Sequence, residues 1–139
     1  MFNAFHHIAV VVPDREEALQ LFRDKMGLRV VKLWSSEDEG NEYAAVELAD
    51  GGNYLEVICP VDREKSQFAE HLDRHGPSVH HIAFRSDAMD ELIAKMDENG
   101  ISGTEPMISS SGWRINFFDT GATLGIGLQL VDGNYDDGG

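Results

Sequence analysis

The chain has 139 residues, 42% of them hydrophobic, and a formal net charge of −14. That size suits one ordinary domain, or two small modules sharing a core. The charge excludes a nucleic-acid binder, which needs clustered Lys and Arg against phosphates. No apolar run is long enough to span a bilayer, so no membrane association is expected. No secretory leader precedes the first strand pattern, and the single Cys59 excludes an internal disulfide; both agree with a cytoplasmic protein.

Residues 5–12 alternate as a strand. Phe5, His7, Ala9 and Val11 share one face, and His6, Ile8, Val10 and Val12 the other. Pro13 ends the strand. Asp14, with Glu17 three residues later, makes a capping-box-like helix start. Ala18, Leu21, Phe22 and Met26 recur at helical spacing, and Gly27 supplies a left-handed stop. Strands are predicted over 28–34, 42–48 and 54–59, with a polar loop at 35–41 and a hairpin turn at Asp50-Gly51-Gly52-Asn53. A short helical pattern at 66–75 ends at Gly76-Pro77.

The plan then starts again. Val79–Phe84 is a strand, Ser86 and Asp87 cap a helix carrying Met89, Leu92, Ile93 and Met96, and Gly100 stops it. Residues 103–112 read as a long unstructured loop able to cover a site. Strands at 114–118 and 124–131 close the chain before an acidic, glycine-rich tail that should be disordered.

His-His-Ile-Ala occurs twice, at 6–9 and 80–83, and the flanking signals repeat with it. His7 precedes Gly27 by 20 residues and His81 precedes Gly100 by 19; His7 precedes Glu56 by 49 and His81 precedes Gln129 by 48. Two modules of one plan are therefore expected: module one at 5–60, a connecting helix at 66–76, module two at 79–132 and a tail at 133–139.

Alternation sends Ile8, Val10, Leu55, Val57, Ile82, Phe84, Leu128 and Leu130 to one face, suited to packing the helices. The opposite face carries His7, Glu56, His81 and Gln129, each interrupting an apolar stretch near mid-strand. Burying one lone polar group costs ~1–3 kcal/mol. A matched four imply a common partner, and two imidazoles, a carboxylate and an amide oxygen suit one divalent ion: Co, Zn, Ni, Mn or Fe(II). Cys59, three residues from Glu56, falls on the other face. His6 and His80 have the wrong parity and read as structural.

Paired βαβββ modules with His in the first strand and Glu or Gln in the last resemble the vicinal oxygen chelate (glyoxalase-like) superfamily. Within it, the methylmalonyl-CoA epimerase family is the most similar. Its motifs are matched by His7-Ile8-Ala9 with Pro13-Asp14, Met26-Gly27-Leu28, Leu55 to Pro60, His80 to Phe84, Glu105-Pro106, and Gly112-Trp113-Arg114-Ile115-Asn116-Phe117. The resemblance implies an α+β fold: two βαβββ modules forming a curved, mostly antiparallel sheet around a central metal pocket. It carries the metal ligands onto His7, Glu56, His81 and Gln129, and implies a homodimer acting on a small-molecule substrate.

One departure matters. The family usually has Glu in the final strand, where this chain has Gln129, which can coordinate but cannot take a proton. A second family carboxylate falls near Ala44 by ungapped placement, which directs attention to Glu42, two residues earlier. The implied reaction moves the α-proton of an acyl-CoA-type carbonyl substrate, with Glu56 and Glu42 as catalytic carboxylates. Other members of the superfamily offer alternatives: a glyoxalase I-like lyase, an Fe(II) ring-cleaving dioxygenase, or a metal-free small-molecule binding protein.

Overall fold

A computed structural model describes residues 1–48, 53–133 and 135. The expected turn at 50–52 and all of the tail from 134 except Tyr135 lie outside the described residues. The fold is mixed α+β, with eight strands in two runs of neighbours, β2-β3-β4-β1 and β5-β8-β7-β6. These strands are β1 (Ala4–Val11), β2 (Arg29–Ser36), β3 (Asn41–Glu47), β4 (Tyr54–Pro60), β5 (Ser78–Arg85), β6 (Met107–Ile108), β7 (Arg114–Phe117) and β8 (Leu128–Val131). The helices are α1 (Arg15–Leu19), α2 (Ala69–His75) and α3 (Met89–Glu98). The order βαβββ therefore occurs twice, with α2 between the copies.

By contacts the chain forms two compact units, His7–His80, and Met1–His6 with the chain from His81 onward. In the first, β1 and β4 run parallel while β2–β3 and β3–β4 are antiparallel. Ala44, Val46 and Val57 pack on Ala18 and Leu19 of α1, joined by Val10, Val30 and Leu55. In the second, β5 and β8 run parallel while β7–β8 and β6–β7 are antiparallel. Leu130 and Phe118 pack on Met89 and Leu92 of α3, with Phe84, Ile93, Met96 and Leu128 at the margin. The aliphatic face predicted by alternation is the helix-packing face in both units, although Ile8 stays exposed.

Helix α1 begins as its sequence predicts, with the Asp14 carboxylate accepting from Glu17 N at 3.2 Å. It then widens into a π-helical segment, Gln20–Lys25, with Met26 N bonded to Leu21 O. The wider turn shifts the buried set from the expected 3.6-residue stripe. Leu19 is buried and Phe22 packs at the core edge, whereas Leu21 and Met26 remain exposed. Gly27 and Gly100 both adopt positive φ and stop their helices as expected.

Other boundaries shift for local reasons. The 66–75 helix starts only at Ala69, because Ser66 instead turns the chain by accepting from Phe68 N. Ser86 Oγ accepts from Ala88 N ahead of α3, while Asp87 N is held by Asn3. The 103–112 loop is not wholly unstructured, since Met107–Ile108 pairs with β7. The 124–131 strand begins only at Leu128, after a 3-10 turn at Thr120–Ala122 and a positive φ at Leu124.

Within the expected tail, Tyr135 is among the described residues. This side chain is buried, its ring 4.9 Å from Trp113 and 5.0 Å from His6. The approach needs Gly133, where an added Cβ would come within 2.5 Å of Trp113 Cβ. Gly133→Ala should therefore destabilise the protein by about 1–3 kcal/mol, the usual cost of forced overpacking. Chemical denaturation checks this; an unchanged midpoint would contradict the close approach.

Candidate metal centre

Register fixes which side chains share a face. In the first unit, β1 and β4 pair Ala9 with Glu56, and β4 and β3 pair Glu56 with Ala45. His7, Glu56, Tyr43 and Ala45 therefore lie on the face away from α1. His7 Nε2 stands 3.5 Å from Glu56 Oε2, and both residues are buried. Burial lowers the His7 pKa to about 3. The imidazole is thus neutral near pH 7 even beside a carboxylate, because desolvation of the cationic form outweighs the attraction. A neutral imidazole is the form that donates a lone pair to a metal.

In the second unit, Ala83 pairs with Gln129 and Gln129 with Phe117. His81 presents its ring edge-on to Phe117 at 5.0 Å, so His81 and Gln129 share the face away from α3. Gln129 is buried, and among the described residues its Oε1 has no hydrogen-bond partner. Leaving such an acceptor unsatisfied costs about 1–3 kcal/mol, which a cation would relieve.

His7 and Glu56 in the first unit, and His81 and Gln129 in the second, each offer ligand atoms of the kind a divalent cation takes. Cys59 lies on the helix-packing face, its thiol directed at Pro13 O. Its pKa is raised, chiefly by burial. His80 is turned to Phe68 and His71, with rings at 4.8 Å in each case.

His6 is buried as well, packed against the rings of Trp113 and Tyr135.

Glu42 does not join His7 and Glu56. It pairs in register with Cys59 and flanks Ala44, whose face packs α1. Its nearest cation is Arg15 at 3.9 Å, and Arg15 also donates to the backbone oxygens of Trp34 and Tyr43. Ungapped placement chose the wrong parity, because residues two apart on a strand share a face and Ala44 is already on the helix side.

The residue missed is Tyr43, on the face of Glu56. Its hydroxyl donates to Glu39 Oε1 at 2.6 Å and accepts from Asn41 Nδ2 at 3.0 Å. Asn41 in turn accepts from Ser66 Oγ. Burial, then the hydrogen bond to Glu39, raise the Tyr43 pKa far above its ordinary value, and Glu56 contributes as a nearby negative charge. The phenol stays protonated. Its signal was present in the alternation of 41–47, once Ala45 rather than Ala44 is set opposite Glu56.

Comparison with known proteins gives a consistent family. The sequence model of the Glyoxalase/Bleomycin resistance protein/Dioxygenase superfamily matches residues 6–117. Uncharacterized protein YwkD of Bacillus subtilis (strain 168) is 26% identical over 121 residues, covering 85% of this chain and 89% of YwkD. Methylmalonyl-CoA epimerase of Mycobacterium tuberculosis shares the fold at a TM-score of 0.86 and 22% identity, with 93% of this chain and 87% of that one covered. A variant of the Streptomyces coelicolor methylmalonyl-CoA epimerase, in complex with 2-nitronate-propionyl-CoA, gives 0.85 at 27% identity, with 95% of each chain covered.

The His7 environment predicts a pH effect of definite sign. In the unfolded chain its imidazole titrates near the ordinary value of about 6.5, but in the folded protein only near 3. The unfolded state therefore binds that proton first, and stability falls as pH drops through the interval between those values. His80, lowered to about 4 by burial and then by His71, acts in the same direction. Melting of chelator-treated protein should fall more steeply from pH 7 to pH 5 in wild type than in His7→Gln. Equal slopes would contradict a buried neutral His7.

Proposed function

The chain belongs to the Glyoxalase/Bleomycin resistance protein/Dioxygenase superfamily, and from that premise we propose a metal-dependent enzyme that moves the α-proton of an acyl-CoA-type carbonyl substrate. The observation that carries this reading is the buried pair of His7 and Glu56, a neutral imidazole 3.5 Å from a carboxylate, with His81 as the second proposed imidazole ligand. Gln129 is the fourth proposed ligand, through its unsatisfied Oε1. A bound divalent ion would supply Lewis-acid neutralisation of charge developing on the substrate carbonyl oxygen.

The protein groups have separable tasks. His7 is held neutral and ready to coordinate. Gln129 accepts a cation without adding charge or offering a base. Glu56 is the carboxylate beside His7, and in this reading it both holds the ion and moves the proton. Tyr43, fixed by Glu39 and Asn41, is a stationary hydrogen-bonded wall on the same face. The epimerase assignment draws on the likeness to the Streptomyces coelicolor enzyme, whose described complex contains a propionyl-CoA derivative.

Solvent deuterium incorporation at the α-carbon of methylmalonyl-CoA tests the reaction. Metal-loaded wild type should exchange that proton. Glu56→Gln should lower the rate by ~100-fold or more, the usual weight of a positioned acid–base group, whereas Glu42→Gln should stay within about twofold. Gln129→Glu should keep its metal and leave exchange similar or faster. No exchange, with oxygen uptake on a catechol, would replace this reading with a dioxygenase; no exchange, with turnover of a glutathione hemithioacetal, would replace it with a glyoxalase.

A further inference from the structure

The chain carries seven arginines against 25 acidic residues. Arg15, Arg23, Arg29, Arg63, Arg74 and Arg114 each lie within ion-pair distance of a carboxylate. Arg85 is the exception: among the described residues it has no acidic partner. Its Nε is buried and, among the described residues, has no hydrogen-bond partner. In so acidic a chain, an arginine without a carboxylate requires a reason.

Its position supplies one. Arg85 ends β5 and pairs with Val131, one row beyond the Ala83–Gln129 pair. It alternates with Phe84, which packs toward α3, and so shares the face of His81 and Gln129. Diagonal neighbours on adjacent strands are roughly 7–8 Å apart, within reach of long side chains. That face therefore carries two unsatisfied buried atoms of opposite character, an acceptor on Gln129 and a donor on Arg85. A cation answers the first. An oxyanion answers the second.

We propose that Arg85 is a substrate-binding residue that holds an anionic oxygen group, a carboxylate or phosphate, of the molecule whose carbonyl meets the metal. The inference rests on the functional reading above and deepens it: the substrate is an acid as well as a carbonyl compound. Charge makes such a contact necessary. An anion approaching a protein of net charge −14 is repelled at long range, and a guanidinium flanked by Val131, which is fully buried, offers a local, poorly hydrated attraction. Its planar fork matches an oxyanion in two-point contact.

The test uses ligand binding, which is independent of turnover. Calorimetry on metal-loaded protein would compare the malonyl thioester of N-acetylcysteamine with its uncharged methyl ester, and in parallel with acetyl-CoA. The first pair varies an acyl carboxylate without phosphates; acetyl-CoA carries phosphates without an acyl carboxylate. Arg85→Gln should weaken one anionic ligand by about tenfold or more while leaving the methyl ester unchanged. Arg85→Lys should recover part of the loss. Weakening of the malonyl thioester alone identifies a carboxylate, and weakening of acetyl-CoA alone identifies a phosphate. Metal content must be the same in wild type and both variants, which separates this result from damage to the metal centre. Equal binding of all three ligands by wild type and Arg85→Gln would overturn the proposal, whether or not the protein exchanges an α-proton. A variant ending at Tyr135, lacking Asp136 and Asp137, should show the same Arg85 dependence. If it binds all three ligands like the full chain but loses that dependence, Arg85 serves the tail and the proposal fails.

Discussion

The structure turns on a carboxylate set beside an imidazole that cannot answer its charge. Glu56 and His7 are 3.5 Å apart and both are buried, but desolvation keeps His7 neutral across the physiological range. The pair cannot be closed as a salt bridge without protonating a ring that burial forbids to protonate. The two groups have the composition of metal ligands rather than of an ion pair: one lone-pair donor and one negative charge. The strands that hold these residues keep their other faces for the helices. The polar set is thus fixed in place by ordinary hydrophobic packing on the far side of the same strands.

That division of faces was legible in the sequence because it needs only period two. His7, Glu56, His81 and Gln129 all interrupt apolar runs at positions whose neighbours pack on α1 or α3, and the double βαβββ order followed from the repeated His-His-Ile-Ala and its spacing. Periodicity failed where the backbone departs from it. The π-helical turn after Leu19 displaced Leu21 and Met26 from the core, and no 3.6-residue periodicity could anticipate it. Tyr135 was illegible for another reason: its burial depends on a distant Trp113 and on the missing side chain of Gly133.

Glu42 and Tyr43 show how one residue of register decides which side chain shares a face with Glu56. A shift of one residue in the pairing of β3 exchanges its two faces. With Ala45 opposite Glu56, Tyr43 stands on the polar face and Glu42 turns to Arg15 near α1. The consequence is chemical. A carboxylate leaves that face and a phenol joins it, locked in a chain through Asn41, Ser66 and Glu39.

The most direct measurement is the stoichiometry of metal binding. Chelator-treated protein reloaded with Co, Ni, Zn, Mn or Fe(II) and then dialysed should retain about one equivalent of at least one of these ions, and His81→Ala should lose most of that affinity while His80→Ala loses little. Retention below about a tenth of an equivalent for every ion, or loss in His80→Ala equal to that in His81→Ala, would contradict a centre built on His7, Glu56, His81 and Gln129.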